Sequence, residues 1–281
     1  MHTLKSLFIS VYLMALLAAA GVALWQIATD GTAAWWGVLL AAAVPLGFFT
    51  WVFVGSVART GDTLWWVPAA GTFGTAVSAS IGGLSTPTWV AMAVGMVMGA
   101  LYTRWYSRFG ERSAPQLMAG QPLPDFPLEN LDGTPLRSTD LTGQPALWLF
   151  YRGNWCPLCM AQIKEIAGQY RELAARGIQI CLISPQPQDH TRSLAGRFSV
   201  PMRFFTDRDN RAAAQLGILA KGGLPLGMQA LGYDADVPMP TVLITAAGGK
   251  LIYSDLTDNY RIRPEPAAFL SVLDQTAGSA Q

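Results

Sequence analysis

The chain divides into two regions that differ in how hydrophobic and polar positions follow one another. Up to about residue 103 long apolar runs carry very few charges, whereas from residue 111 short apolar runs alternate with polar stretches. Four runs in the first region are candidates for the roughly 20 residues that cross a bilayer: Leu7–Ile27, Trp35–Val54, Leu64–Leu84 and Thr88–Tyr102 or a little beyond. We therefore predict a transmembrane α-helical bundle of four spans over residues 1–110, surrounded by membrane lipid. The first run could instead be a signal peptide, but the three runs behind it favour a retained helix.

The positive charges between these runs predict the orientation of the bundle. They fall before the first run, between the second and third, and after the fourth: Lys5, Arg59, Arg104, Arg108 and Arg112. The other two loops contain no Lys or Arg. Because loops rich in Lys and Arg stay on the cytoplasmic side, we predict a multi-pass protein of the inner (plasma) membrane whose C-terminal region is cytoplasmic. If the third run, which Pro68 interrupts, does not cross, that region is extracytoplasmic instead.

The second region is predicted to be a polar connector at residues 111–120 followed by a globular domain at residues 121–281. Apolar runs typical of strands lie at 146–151, 178–183, 202–206, 241–245 and 250–253, and an Asp-Gly turn at 132–133 predicts a further hairpin. Helical patterns run from residue 157 to about 176, over 188–198 and over 264–275. This order predicts an α/β domain with a mixed central sheet.

Two cysteines mark the point where the first long strand of this domain gives way to a helix. Cys156 and Cys159 follow the apolar run by a short loop, and Pro157 between them suits the first position of a helix. Both sulfurs would then lie in the first helical turn, where free backbone N–H groups and the helix dipole stabilise a thiolate. Cysteines at this spacing are also close enough to form a disulfide. The pattern predicts a nucleophilic thiol with a second thiol placed to resolve it.

Composition narrows the alternatives. A net charge of +1 gives no indication of nucleic-acid binding, and three cysteines in 281 residues do not make a disulfide scaffold. A zinc site is disfavoured because neither Cys181 nor the histidines His2 and His190 stand at ligand spacing from the pair. We predict no metal and no cofactor, and we expect Cys181, within an apolar run, to be a buried core residue.

The motifs PDFPL at 124–128, DGTP at 132–135, LFYRGNWCPLC at 149–159 and FTDRDN at 205–210 together resemble the AhpC/TSA (peroxiredoxin-like) branch of the thioredoxin-like superfamily. The resemblance covers roughly residues 121–276 and leaves out the apolar region. It implies a thioredoxin-like fold and redox chemistry at the cysteine pair. Two different reactions occur within this superfamily, thiol–disulfide exchange and peroxide reduction, and the sequence has features of both.

The first alternative is thiol–disulfide exchange of the thioredoxin kind. This resemblance implies that Cys156 attacks a disulfide and Cys159 resolves it, with Trp155 and Pro157 shaping the motif. It also implies a cis-proline loop opposite the cysteines, which Pro240 and Thr241 in the sequence Met-Pro-Thr match. The buried aspartate of thioredoxins is missing, because Phe150 stands at its position. Arg152 is the nearest candidate for lowering a cysteine pKa by its charge.

The second alternative is peroxide reduction. Aligned without gaps on the peroxiredoxin motif PxxxTxxC, the chain has Arg152 at the proline, Cys156 at the threonine and Cys159 at the peroxide-reducing cysteine. Peroxiredoxins also need an arginine near the start of a later strand. Arg261 or Arg263 could replace it, although we expect both to lie in a solvated loop.

We predict a membrane-anchored thiol–disulfide oxidoreductase that cycles its CxxC pair between dithiol and disulfide. The alternatives are a thiol peroxidase that reduces hydroperoxides, and a redox-sensing subunit of a membrane complex. The expected partners are a protein disulfide or a hydroperoxide as substrate and an unidentified thiol as electron donor. The segment Gly222–Asp236 is long enough to be a lid, a partner site or a slack loop.

Overall fold

The computed structural model describes residues 2–278, which form two compact units, Thr3–Arg108 and the residues from Phe109 onward. Residue 1 and residues 279–281, the outer ends of the two predicted domains, lie outside the described residues. The residues predicted as a connector, 111–120, fall inside the second unit rather than between the two.

The first unit is helical. Its helices are α1 (His2–Asp30), α2 (Trp35–Val54), α3 (Trp66–Gly82), α4 (Thr86–Val90) and α5 (Met98–Leu101). A π-helical segment at Ala91–Val97 joins α4 to α5, and a second one at Tyr102–Tyr106 follows α5. Within the described residues, two stretches are long and apolar enough to cross a membrane, Leu4–Asp30 and Trp35–Val54. The third and fourth spans stay a prediction, since α3 has only 17 residues and π-helical turns interrupt the last stretch.

Small residues set how closely the helices of this unit approach one another. A Cβ atom added at Gly71 would collide with the backbone of Gly95, and one added at Gly74 would collide with the backbone carbonyl of Gly37. Glycines at such crossings let two helix backbones meet, which is the usual way apolar helices pack when burial of apolar surface supplies no driving force.

The second unit is built on a seven-stranded mixed sheet in the order β2-β1-β5-β4-β3-β8-β9. The strands of this sheet are β1 (Pro127–Glu129), β2 (Pro135–Arg137), β3 (Ala146–Phe150), β4 (Gln179–Ser184), β5 (Arg203–Thr206), β8 (Thr241–Thr245) and β9 (Leu251–Asp255), while β6 (Leu219–Ala220) and β7 (Val237–Pro238) pair separately. The α-helices are α6 (Pro157–Gly168), α7 (Tyr170–Ala175), α8 (Gln188–Ala195), α9 (Arg211–Gln215) and α10 (Pro266–Gly278). Short 3-10 helices lie at Pro115–Leu117, Ser138–Leu141, Arg208–Asn210 and Met228–Leu231.

Strand β3 lies at the centre of this sheet. It is parallel to β4 and antiparallel to β8, and all five of its residues are buried. Trp148 packs edge-on against Phe126, and its indole N–H donates to the Thr245 hydroxyl at 3.1 Å. An uninterrupted apolar run is what a strand covered on both faces requires. This rigid centre fixes the point from which the cysteine loop departs.

The predicted hairpin, mixed sheet and helices are confirmed, with two differences. The helix after the cysteines breaks at Gln169, so α6 and α7 are separate. The expected cis bond before Pro240 is wrong, because every peptide bond in the described residues is trans. Pro240 directly precedes β8, where its missing N–H removes no hydrogen bond of the sheet.

Candidate active site

The two cysteines lie at the start of α6, after the loop that follows β3. Cys156 is the N-cap residue of α6, Pro157 is its first helical residue and Cys159 completes the first turn. The predicted positions of these three residues are therefore those observed. Both thiols are buried, with 2% of Cys156 and none of Cys159 exposed.

The sulfur atoms face each other. Both residues are free thiols, and the two Sγ atoms are 2.7 Å apart, in hydrogen-bond contact. A thiol donates weakly but does so well to a thiolate, because the acceptor is charged. The pair can therefore hold one proton between two sulfurs and can close to a disulfide with little movement.

A buried arginine from a distant loop completes the pair. The Nη2 atom of Arg263 lies 3.4 Å from the sulfur of Cys159 and 3.9 Å from that of Cys156. Its Nη1 donates to Oε1 of Gln162 at 2.8 Å, and Gln162 stands one turn after Cys159 on α6. The expectation of a solvated loop is wrong, since Arg263 is 4% exposed and Arg261 is fully buried. The thiol pair supplies the negative charge that makes burial of Arg263 tolerable.

This geometry separates the acidities of the two thiols. Burial alone raises the pKa of Cys159, but the hydrogen bond from Cys156 and the charge of Arg263 outweigh it and lower that pKa to about 5. Burial raises the pKa of Cys156 well above its usual value, and the neighbouring thiolate raises it further. The thiolate therefore resides on Cys159, whereas the sequence had favoured Cys156.

Arg152 and Trp155 lie together in the loop between β3 and α6. The guanidinium of Arg152 sits over the Trp155 ring at 4.8 Å from its centre and donates to the carbonyl of Gly223. Its charge lowers the pKa of both cysteines, as expected, but it contributes less than Arg263. Gly153 adopts a φ of 144°, a conformation that suits glycine, and a Cβ there would collide with the Trp155 ring.

A polar network fixes the same loop from the other side. The backbone N–H of Asn154 donates to Oε1 of Gln186 at 2.7 Å, and Nε2 of Gln186 donates to the Tyr151 hydroxyl at 3.3 Å. The Tyr233 hydroxyl donates to Oδ1 of Asn154. Tyr233 belongs to the segment 222–236, which therefore packs on the cysteine loop.

The same segment also makes apolar contact with that loop. Leu224 of the segment forms a small buried cluster with Ala220 and Val237, which flank the segment, and the half-buried Trp155 packs against this cluster. With its hydrogen bonds to the loop, the segment resembles a cover over the entrance more than a slack connection.

Pro240 and Thr241 reach the neighbourhood of the cysteines through β8. Thr241 pairs with Phe150, the last residue of β3, and is fully buried. Both residues line a cavity of about 10 Å³ that Gln162 and Arg263 also line. Such a volume holds about one water molecule.

Cys181 is separate from this site. It lies on β4 opposite Trp148, is fully buried, and burial raises its pKa to about 12. The expectation of a buried core cysteine is confirmed.

Comparison with known proteins assigns the domain that carries this site. The model of the AhpC/TSA family matches residues 119–254. This match covers just under half of the chain, and we refer to the domain that carries it as the AhpC/TSA domain. The resemblance drawn from the motifs is thus confirmed, and the apolar helices lie outside the AhpC/TSA domain.

The relatives of the AhpC/TSA domain are thiol redox enzymes of both expected kinds. The chain is 27% identical over 132 residues to the thiol-disulfide oxidoreductase ResA of Geobacillus thermodenitrificans, covering 46% of this chain and 72% of that protein. It is 28% identical over 102 residues to peroxiredoxin Bcp of Escherichia coli, covering 36% of this chain and 65% of that protein. For the chloroplastic peroxiredoxin Q of Populus jackii the identity is 26% over 108 residues, and the match covers 38% of this chain and 51% of that protein.

The chain thus spans only about half to two thirds of the peroxiredoxins it matches. Among solved structures, peroxidoxin BcpB of Mycobacterium tuberculosis aligns with a TM-score of 0.46 at 22% identity, covering 57% of this chain and 97% of that one. The expected class, a thiol oxidoreductase or peroxidase, is confirmed.

Proposed function

We propose that the AhpC/TSA domain is a two-cysteine thiol peroxidase in which Cys159 attacks a hydroperoxide and Cys156 resolves the product. The observation that carries this proposal is the 3.4 Å contact between Nη2 of Arg263 and the sulfur of Cys159. A guanidinium there stabilises the thiolate and can hydrogen-bond to an oxygen that approaches it. This assignment reverses the roles that the sequence favoured for the two cysteines.

The reaction balances with the groups present. The Cys159 thiolate attacks one oxygen of ROOH, which forms a sulfenic acid and expels RO⁻. The Cys156 thiol gives its proton to RO⁻, so ROH leaves and Cys156 becomes a thiolate. That thiolate attacks the sulfenic sulfur, forming the disulfide and releasing hydroxide. An external dithiol then reduces the disulfide and returns the pair to its starting state.

Burial favours a small oxidant over a protein disulfide. Cys159 has no exposed surface, and attack on a protein disulfide requires the partner sulfur to approach in line with it. A hydroperoxide needs room for only two oxygen atoms at the reacting end. Once the disulfide has formed, the external thiol that reduces it should attack Cys156, which is the more exposed of the two cysteines.

The test uses the full chain in mild detergent and follows its reaction with hydrogen peroxide by stopped-flow tryptophan fluorescence. We expect Cys156→Ser to keep the fast second-order reaction and to accumulate a sulfenic acid that dimedone traps. We expect Cys159→Ser to lose the reaction. The proposal is contradicted if Cys159→Ser keeps the fast oxidation, or if Cys156→Ser loses it.

Thiol–disulfide exchange is the second candidate, and the similarity to the ResA protein over 72% of its length favours it. In that case Cys156, at the N-cap, would attack a substrate disulfide and Cys159 would resolve it. Insulin reduction by the dithiol form separates the candidates. Turnover at rates comparable with peroxide reduction favours exchange, and a trapped mixed disulfide in Cys159→Ser would identify Cys156 as the attacking thiol.

We also propose that the N-terminal helices anchor this enzyme in the membrane with the redox domain in the cytoplasm. Two helices of suitable length and hydropathy and the distribution of Lys and Arg support the proposal. The protein should stay with the membrane after alkaline extraction. Its cysteines should resist a membrane-impermeant thiol reagent in whole cells and react after lysis, whereas labelling in intact cells contradicts the cytoplasmic location.

A further inference from the structure

Two arginines near this site, Arg263 and Arg112, lie outside the part of the chain that matches the family. The match ends at residue 254 and begins at residue 119, so Arg263 follows it and Arg112 precedes it. Arg112 belongs to the second unit and is half-buried. Its Nη1 donates to the carbonyls of Pro240 and Thr257 at 3.1 and 2.9 Å, and its Nη2 donates to the Thr241 hydroxyl at 2.6 Å.

The acceptors of Arg112 belong to two separate loops beside the cysteines. Pro240 and Thr241 form the entrance of β8, while Thr257 opens the loop that follows β9. The backbone N–H of Phe109 donates to the carbonyl of Asp258 at 2.6 Å, so the segment 109–112 is attached to that second loop at two adjacent residues, Thr257 and Asp258. A guanidinium presents its donors in a fixed fork, and it can therefore hold two loops at a set distance.

The loop that begins at Thr257 ends at Arg263 and is internally tied. The Oδ1 atom of Asn259 accepts from the N–H of Arg261 at 3.1 Å, and the carbonyl of Asn259 accepts from the N–H of Ile262 at 3.0 Å. Nε of Arg263 donates back to the carbonyl of Tyr260 at 3.3 Å. A shift of the loop at its start is therefore transmitted to the guanidinium at its end.

We propose that Arg112 is a positioning residue for the thiolate: it fixes the loop 257–263 so that Arg263 stays at hydrogen-bond distance from Cys159. The segment 109–112 is then a working part of the active site, although it lies outside the family-matched residues. This inference rests on the proposed function, because it takes Cys159 as the reactive thiolate that Arg263 stabilises.

The experiment measures the pH midpoint of Cys159 alkylation by iodoacetamide in the full chain, in a Cys156→Ser background. Arg112→Ala and Arg112→Lys are compared with Arg263→Gln, and the exposed ion pair of Arg137 with Asp125 supplies the matched control Arg137→Ala. We expect both Arg112 variants to raise the midpoint by about half to one pH unit, as partial loss of a neighbouring charge should. We expect Arg137→Ala to leave it unchanged.

The outcomes are distinct. A melting temperature that falls without any change of the midpoint shows that Arg112 only supports the fold, and it overturns the inference. If Arg112→Ala does not fold, the same comparison of midpoint and melting temperature is made with Arg112→Lys and Thr241→Val. Each of these variants removes only some of the hydrogen bonds of Arg112. If Arg263→Gln itself leaves the midpoint unchanged, the proposed function fails, and a shift with Arg263→Gln but not with the Arg112 variants sinks the positioning role alone.

Discussion

Replacing Arg263 by glutamine is the sharpest perturbation of the cysteine pair. The charge lies 3.4 Å from the Cys159 sulfur, and at an effective dielectric of about 20 the attraction is at most about 5 kcal/mol. Water and the remaining amide donor compensate for part of this, and a hydrogen bond to a charged group has a net worth of about 1.5–3 kcal/mol. At 1.36 kcal/mol per pH unit this corresponds to about one to two pH units. The pKa of Cys159 should then rise from about 5 to about 6–7.

The assay is the rate of iodoacetamide alkylation between pH 4 and 9 in a Cys156→Ser background, where the serine keeps an O–H donor to Cys159. Cys181 stays silent over most of this range because burial raises its pKa to about 12. Arg152→Gln is the matched control, since its charge acts on the same sulfur more weakly, and it should shift the midpoint less. An Arg263→Gln midpoint within ~0.3 pH units of the parent value would refute the charge argument.

Four further results are expected. The rate of peroxide reduction should be flat above about pH 6 and fall tenfold per pH unit well below the Cys159 pKa of about 5, because only the thiolate reacts. That pKa lies below the unfolded value of about 8.5. The melting temperature of the reduced protein, relative to that of Cys159→Ser, should therefore rise between pH 5 and about 8.5, and the difference should be lost as the pH falls through 5. The same stabilised thiolate should make the disulfide more oxidising than the roughly −270 mV of thioredoxin, as measured by equilibration with glutathione. Tyr233→Phe removes the hydrogen bond to Asn154 and should speed labelling of Cys156 by a bulky maleimide about two- to tenfold, the equivalent of about 0.5–1.5 kcal/mol.

Local patterns were enough to predict the scaffold of the site. The apolar run of β3 and the proline after Cys156 predict a buried strand followed by a helix start, because each depends only on neighbouring residues. The helix dipole, however, acts on both sulfurs of the first turn and does not decide which one is the thiolate. That distinction depends on the hydrogen bond between the two sulfurs and on Arg263, which lies nearer to Cys159 than to Cys156 and is 104 positions from Cys159 along the chain.

The same limit applies to Arg112 and Pro240. Arg112 was counted with the positive charges that orient the membrane helices, yet its side chain is used within the second unit, 129 positions from Thr241. The cis-proline expectation followed from the match of three residues to a loop motif. It failed because the backbone conformation before a proline depends on how the following strand is entered, which no short motif specifies.

The short distance between the two sulfurs has a consequence for survival under oxidative stress. Peroxidatic cysteines are lost when a second peroxide converts the sulfenic acid to sulfinic acid before it is resolved. Here the resolving sulfur already stands 2.7 Å away in the same helical turn, so ring closure competes well with the second oxidant. On the proposed function, the protein should therefore resist inactivation by excess peroxide.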